Sequence, residues 1–594
     1  MSNKYFELAK HYLELQQNEA AKSNLIGLLR IFFSSIALVS IYVYFQDFKP
    51  KWIIISVSAI VIFIALIKMH RAVVNQEKIY SCLKKINDDE DKYIQYGYLP
   101  FDNGEEYISQ SGVFTTDLDI LGENSLFQHV NRTQTFMGKK RLYEILVTGV
   151  DPDKIVIYNE AIQELAENLT YRQQFTAIAM LYPDKKEAYL SLIEWSNIPA
   201  NSVSVFEKTL YYIFPAVIVI SISLFLVAKL RILVIISCGL FFIINLFLLL
   251  INYKNIKHTS LLAEKAYRIL DKYSQLIRLI ELEEFSSTIL KNLKSSLISD
   301  KIEASKSIKY LASILEKLET MNNPWGLVLL NGLFLYHVHA LVSLNKWKFK
   351  YSLAINSFLS TVYEFDALVS LANFTFNNPE FIYPKINYEG NLSCKDLSHP
   401  LINRHLRISS DVSFDEQKFI LLTGSNMSGK STFLRAIGMN IVLAKAGLPV
   451  CSSEANIFPF KILSCIRKTD SLKENESYFF AELKSLKLII DSLQQGDICF
   501  IILDEILRGT NSEDKRIGTI ALIEKLIKLG AMGVIATHDL EVCEITDKYP
   551  KYLSNKCFEV EILNNQLSFD YKLRNGICKN TSASFLMKKM KIIG

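Results

Sequence analysis

The sequence predicts a multi-domain protein: α-helical transmembrane hairpins and a long helical region, followed by a C-terminal α/β domain built around a phosphate-binding loop. Three observations carry this. Four segments, 25–45, 52–69, 210–228 and 232–251, are almost free of charge. Residues 252–350 repeat apolar side chains at helical spacing, and beyond 386 apolar strand-like runs alternate with helical patterns. The division that follows is 1–24 as a cytoplasmic N-terminal segment, 25–69 as hairpin 1, 70–209 as a cytoplasmic segment that begins a core, 210–251 as hairpin 2, 252–385 as a helical core and lever region, and 386–594 as the nucleotide domain.

A helix needs roughly 20 apolar residues to cross a bilayer, with a range of about 17–25, and all four runs qualify. Short polar turns at Lys49–Lys51 and Lys229–Arg231 join them in pairs. The first run starts too late and lacks the small-residue cleavage site of a signal peptide. Two hairpins place residues 1–24, 70–209 and 252–594 on one side. Lys22, Lys68, Arg71, Lys78, Lys84, Lys85, Lys208, Lys254 and Lys257 flank that side, which makes it the cytoplasm. The expectation is a multi-pass protein of a bacterial inner or plasma membrane, with its nucleotide domain in the cytoplasm. The formal charge of +5 gives no global argument for nucleic acid. Nine cysteines without a CxxC pair fit a reducing compartment, and Cys238 and Cys499 lie in apolar runs where packing is their expected role.

Within 252–350, Leu262, Ala266, Ile269, Leu270, Tyr273, Leu276 and Ile277 mark one face of a long helix. A lysine-rich stretch, 291–309, is interrupted by Asp300 and Glu303 and reads as a solvated helix face. Tyr, Pro, Gly and Asn after Pro379 mark a boundary.

The chemistry lies beyond it. Gly424-Ser425-Asn426-Met427-Ser428-Gly429-Lys430-Ser431 follows the apolar run 419–422 and opens a helical pattern over 432–443. The glycines let backbone N–H groups turn inward around a phosphate, Lys430 neutralises phosphate oxygens, and the Ser431 hydroxyl suits Mg²⁺. A second apolar run, 498–503, ends in Asp504-Glu505, where one acid holds a Mg²⁺ shell and the next acts as catalytic base on attacking water. A third, 533–537, ends in His538-Asp539, which places His538 to sense a γ-phosphate. ATP with Mg²⁺ is the expected ligand.

Taken together these residues resemble the MutS mismatch-repair ATPases of the ABC ATPase class. The loop 423–432, including Thr432, is similar to TGPNMGGKST, with Ser425 and Ser428 in place of Pro and Gly. Residues 503–512 look like LDEIGRGTST, with Leu507 in place of Gly; 536–538 look like ATH, and 477–483 like the STFMVEM signature. Upstream, 132–142 resembles the core segment TxTxMGxRxL and 396–401 the RHP element, while 569–576 is similar to the closing strand. The resemblance implies a helical MutS-like core and lever region, a C-terminal ABC-type P-loop ATPase domain, and a head-to-tail homodimer that sandwiches ATP between Lys430 of one chain and Ser477 of the other. Ser477 can also cap the helix over 481–493, a role compatible with the first. Lys445 stands where the family has its Gln-loop glutamine, and Leu406 where an adenine-stacking aromatic is expected.

The resemblance also implies DNA as a partner, yet no Phe-x-Glu wedge occurs in 1–120 and the helices of 252–380 leave little room for a β-rich clamp. DNA binding without mismatch reading is the expectation. The competing classes are a nucleotide-switched membrane tether that does not act on DNA and a transporter-type ABC protein; against the latter, no LSGGQ-like segment precedes Asp504 in this chain.

Overall fold

The computed structural model describes residues 2–47, 49–184, 186–197, 209, 211–213, 216–217, 220, 231–299, 302–425, 427–466, 478–507, 510–563, 566–578 and 592. Contacts divide the chain into two compact units, and neither is continuous in sequence: one comprises 1–98, 133–139 and 168–367, the other 99–132, 140–167 and 368–594.

The first unit is helical. Helices α1 (Ser2–Asp47) and α2 (Pro50–Tyr96) form an antiparallel hairpin. Pro50 sits at the first helical position, where its missing N–H costs nothing, and Gly97 ends α2 in the left-handed conformation. Midway along the two apolar stretches the buried residues are small, Ala37, Ser40, Ser56 and Ala59, with Ile26 and Leu66 buried at the end away from the turn. The Ser56 hydroxyl donates to Ala37 O at 3.3 Å, so backbones approach closely through small side chains, the packing that suits helices without a hydrophobic drive between them. Leu28, Phe32, Leu38, Ile54, Val61 and Ile64 point outward and are exposed.

Helix α3 (Leu169–Met180) packs on α2, where Gln173 and Asn87 exchange side-chain hydrogen bonds of 2.8 and 3.2 Å. Helix α4 (Arg231–Leu282) runs without a break from the apolar stretch Ile236–Lys254 into a polar half whose inner face, Ile269, Leu270, Tyr273, Leu276, Ile277 and Ile280, is buried. That is the face the spacing predicts. Helix α5 (Ala304–Glu319) covers it. Apolar helices α6 (Pro324–Phe334) and α7 (Tyr336–Tyr351) follow, then α8 (Ile355–Asn377). By length and composition α1, α2 and 236–254 are each able to cross a membrane, and α6 with α7 form a bent pair that passes the same test. Most of the 210–228 run lies outside the described residues. Between 252 and 380 the described residues contain one strand pair, two residues on each side.

A buried polar node fixes this unit. The hydroxyl and N–H of Thr135 donate to Asp366 Oδ2 at 2.6 and 2.8 Å, joined by Gln134 N–H at 3.0 Å. Gly138 must be glycine: a Cβ there would stand 2.4 Å from Asp366 Oδ2. Burial raises the Asp366 pKa to about 6 against the hydrogen bonds that lower it.

The second unit holds a six-stranded sheet of order β6-β5-β1-β4-β3-β2. Its strands are β1 (Phe419–Gly424), β2 (Lys461–Cys465), β3 (Cys499–Asp504), β4 (Met532–Ala536), β5 (Leu553–Leu563) and β6 (Gln566–Asn575). All neighbours are parallel except β5 and β6. Every residue of β1, β3 and β4 is buried, the pattern of central strands covered on both faces. Helices α9 (Lys430–Lys445), α10 (Tyr478–Gln494) and α11 (Ser512–Lys528) accompany it. A smaller four-stranded sheet is formed by Lys385–Ile386, Glu454–Ile457, Leu392–Leu397 and Ser410–Ser413.

The Asp366 pKa lies above the ordinary 3.8, so its contribution to stability is complete below about 4 and is lost as pH rises past about 6. Thermal melts of the full chain in detergent should show a downward slope across that window, and Asp366→Asn should flatten it. An unchanged slope in the variant would place the titration elsewhere.

Candidate nucleotide site

Strand β1 delivers the loop and α9 receives it. Gly429, at φ 102°, caps α9 in the left-handed region, and a Cβ there would stand 3.1 Å from Tyr571 Cδ1. Lys430, the first residue of α9, is buried, and its ammonium donates to Gly424 O at 2.7 Å and Ser425 O at 2.9 Å. The next side chain, Ser431, donates from Oγ to Asp504 Oδ2 at 2.7 Å. The register explains this pairing: Ala536 lies opposite both Leu422 and Asp504, so β1, β3 and β4 end at one level and their C-terminal residues converge.

Glu505 follows at φ 47°, its N–H bonded to Ala536 O at 2.9 Å. His538 Nε2 is 2.6 Å from Glu505 Oε1 and 3.4 Å from Lys430 Nζ. An ammonium cannot accept, so Nε2 either donates to Glu505 or accepts from Lys430, and the shorter contact is the one to the carboxylate. His538 thus sits against Glu505, beside the lysine of the loop.

The walls of a cavity of about 620 Å³ come from this loop and from the smaller sheet: His399, Ile402, Leu406, Arg407 and Ile408 on one side, Ser425, Met427, Lys430, Ser431, Thr432, Asp504 and Glu505 at the floor, and Phe558 and Tyr571 beyond. Leu406 is 75 % exposed at its mouth. Arg407 braces the wall through Glu380 at 3.0 Å, Pro400 O at 3.2 Å and the ring of Phe381. Burial, with Arg435 nearby, lowers His399 to about 4, so its ring is neutral at physiological pH and the charge of this wall is that of Arg407. Among the described residues, the hydroxyls of Ser425 and Ser428, both in the loop, are buried with no hydrogen-bond partner, and Ser425 lines the cavity. Those orphaned donors, the Lys430 ammonium and the Ser431–Asp504 pair suit a nucleotide phosphate with Mg²⁺. The described residues hold no cluster of three or more His, Cys, Asp or Glu that could bind a metal by itself.

Of the residues predicted from sequence, Ser425, Met427, Gly429, Lys430, Ser431, Thr432, Asp504 and Glu505 line the cavity. Gly424 and Ser428 pack behind them, and His538 touches Glu505. Asn426 and Ser477 lie outside the described residues. Lys445 does not meet its expectation: it ends α9, about 22 Å along the axis from Lys430, where Val150 N–H bonds its carbonyl at 3.0 Å and burial lowers its ammonium to about 8. His399, Phe558 and Tyr571 were not foreseen as site residues, although 396–401 and 569–576 were marked as segments.

A second set of contacts reaches the loop helix from 99–132. Arg435 on α9 donates to Asp117 O at 3.1 Å and meets Asp119 at 3.3 Å. The buried Asp117 carboxylate accepts from Ser464 Oγ at 2.7 Å and Ile466 N–H at 2.9 Å, at the end of β2. This segment therefore ties the phosphate-loop helix to the strand that leads toward the signature residues.

Comparison with known proteins gives the same picture. A family model for MutS domain V matches residues 420–592. A DNA mismatch repair protein MutS of Thermotoga petrophila is 31 % identical over 210 residues, 35 % of this chain and 26 % of that protein. One from Thermotoga sp. strain RQ2 is 26 % identical over 332 residues, 55 % of this chain and 37 % of the relative. The human MutS protein homolog 4 is 31 % identical over 228 residues, 36 % of this chain and 24 % of that protein. The chain thus spans well under half the length of these curated relatives. A helical N-terminal region followed by a C-terminal α/β domain fits a MutS-like architecture, and the segment that carries Lys430, Asp504 and His538 is similar to MutS domain V.

Proposed function

We propose that this protein is a membrane-anchored, ABC-type ATPase that binds and hydrolyses ATP with Mg²⁺ in a head-to-tail homodimer. One observation carries the reading: Lys430, the Ser431–Asp504 pair and the Glu505–His538 pair meet at the ends of three adjacent parallel strands. Bound ATP supplies the scissile phosphoanhydride, and Mg²⁺ offsets the charge of its oxygens. Lys430 exchanges its loop carbonyls for phosphate oxygens, and backbone N–H groups at the start of α9 add an anion site. Ser431 and Asp504, hydrogen-bonded to each other, would hold the metal. Glu505, steadied by His538, orients the attacking water and accepts its proton. Ser477 of a second chain completes the site across the dimer. Helices α1 and α2 and the 236–254 stretch of α4 anchor the protein, in support of which their apolar faces are exposed over most of their length.

DNA is the partner that the relatives' names suggest. Binding to this chain would be through phosphates alone and indifferent to mismatches. A second reading, a nucleotide-switched membrane tether with no DNA step, is favoured by the helical character of the described residues between 252 and 380, where one strand pair of two residues per side is the only sheet.

Lys430→Ala should abolish ATP binding, whereas Glu505→Gln should bind ATP and turn over on the order of 10²–10⁴-fold more slowly, the usual worth of a positioned base. Isothermal binding and phosphate-release assays on detergent-purified protein check both. Wild-type turnover in Glu505→Gln would remove Glu505 from the catalytic role.

Ser477→Arg homodimers should be inactive, and mixing them with Lys430→Ala chains should restore at most one working site per heterodimer. Normal hydrolysis by Ser477→Arg alone would rule out the shared site.

A cysteine placed at Lys49 should react with a membrane-impermeant reagent in intact cells, because the turn between two apolar helices emerges on the far face. Protection there, together with release of the protein by salt alone, would show α1 and α2 to be core helices.

A further inference from the structure

We propose that residues 324–345 form a re-entrant segment that enters the bilayer beside α4 and returns to the side it came from, so that lipid is the partner covering the outer face of α6. The proposal rests on the membrane-anchored reading of α4. Residues 320–345 contain no Asp, Glu, Lys or Arg. Composition alone permits a buried core helix, so the decisive observations are where α6 docks and what it leaves uncovered.

Helix α6 docks on the apolar stretch of α4. Gly332 lies against the Phe242 ring so closely that a Cβ would stand 2.1 Å from it, and the buried Asn245 donates from Nδ2 to Gly332 O at 2.9 Å. Asn245 precedes Lys254 by nine residues, about 14 Å along a helix, which is close to the middle of a hydrocarbon core about 30 Å thick. A polar side chain at that depth needs an internal partner, and the Gly332 carbonyl is one. Away from that contact α6 is uncovered: Trp325, Leu329 and Val328, which precede Gly332 on the same stripe, are 78, 50 and 42 % exposed, and Phe334 on the opposite side is 48 % exposed.

Broken helices survive at membrane depth only where their freed backbone groups are satisfied within the protein. The break here meets that condition. Leu335, at φ 48°, turns α7 by 79° from α6. Its N–H bonds Asn331 O at 3.0 Å, and His337 N–H bonds Asn331 Oδ1 at 3.0 Å. The His337 ring then bridges Asn331 Nδ2 at 2.7 Å and Thr320 Oγ1 at 3.1 Å. Asn331 and His337 are both fully buried, so the bend is fixed by a closed polar network.

A full crossing is excluded by what flanks the segment. Helix α5 precedes it and α7 follows it, and the two pack together: Trp347 Nε1 donates to Ser307 O at 2.9 Å and Ser307 Oγ at 3.1 Å. Ser307, before the segment, and Trp347, after it, therefore lie on the same side.

The test uses the full chain in phosphatidylcholine vesicles with the two half-buried cysteines removed, Cys82→Ala and Cys238→Ala. A nitrobenzoxadiazole probe is placed either at Val328→Cys on α6 or at Ile243→Cys, which is exposed on α4. Quenching by lipids carrying a nitroxide near the middle of the acyl chain, with shielding from aqueous iodide, is expected at both positions. Quenching at 243 with iodide access at 328 would overturn the re-entrant segment while leaving the anchor intact. Quenching at 243 with neither quencher reaching 328 would mean that protein covers α6, which also overturns it. If neither position is quenched by lipid, the anchor reading falls and the inference with it.

Discussion

The common level at which β1, β3 and β4 end is the constraint on which the nucleotide site depends. A one-residue slip between parallel strands would invert every side chain, and here complete burial on both faces makes such a slip prohibitive. Register then fixes chemistry. Ala536 opposite Leu422 and Asp504 puts Lys430 and Ser431 beside the acidic pair, and Thr537 N–H reaches back to Leu422 O at 3.0 Å to hold the third tip in place. The Ser431–Asp504 hydrogen bond follows from strand order and length together with the left-handed turn at Gly429 that starts α9.

Backbone strain is concentrated at the same edge. Met427, Glu505 and Leu507 all adopt positive φ, at 68°, 47° and 59°. A non-glycine residue in the left-handed region costs roughly 1–2 kcal/mol, so such a cluster persists only where other contacts fix it. Leu507 shows how. Its N–H donates to Glu482 Oε1 at 2.8 Å, and its side chain is buried in the cluster with Ile506, Ile523 and Leu486. The resemblance to LDEIGRGTST explains the conformation, since glycine takes it freely; this chain substitutes leucine burial for glycine freedom. Because Glu482 sits on α10, the helix that begins at the signature, the strained turn after the acidic pair and the signature helix are mechanically one piece.

Sequence made the strands, the loop and the acidic pair legible because their signals are local: an apolar run, two glycines, charges at a strand tip. The observed β1, β3, β4 and α9 match those readings within two residues or so. What escaped was non-local. His399 and Tyr571 belong to strands and loops far apart in sequence, and only folding brings them to one cavity. Lys445 was misplaced because alignment by motif order ignores that α9 carries it to the opposite end of the helix. The helical pair α6 and α7 falls inside the helical core and lever region read over 252–385, because Asn323, Asn331, His337, His339 and Asn345 dilute its hydropathy. In the structure Asn331 and His337 satisfy each other, and the polar appearance of the sequence becomes an internal network.

The same reasoning applies to α4, where a charged residue marks the end of the apolar half's influence. Lys272 is fully buried, ten residues from the end of an unbroken helix that begins in the apolar stretch. Its ammonium donates to Tyr182 O at 3.0 Å and stands 4.0 Å from Asp184, while Tyr273 donates its hydroxyl to the same carboxylate. Burial lowers the Lys272 pKa and the carboxylates of Asp184 and Asp366 raise it. A buried pair of this kind adds little net stability, because desolvation offsets most of the attraction, but separating its members leaves a buried charge without a partner. The node therefore resists rotation of α4 about its axis far more than it adds to stability. A helix whose other half carries the docking face for Gly332 cannot turn without breaking one contact set or the other. The register of the apolar stretch and that of the polar half are fixed together, by a glycine contact and an amide at one end and a buried lysine and tyrosine at the other.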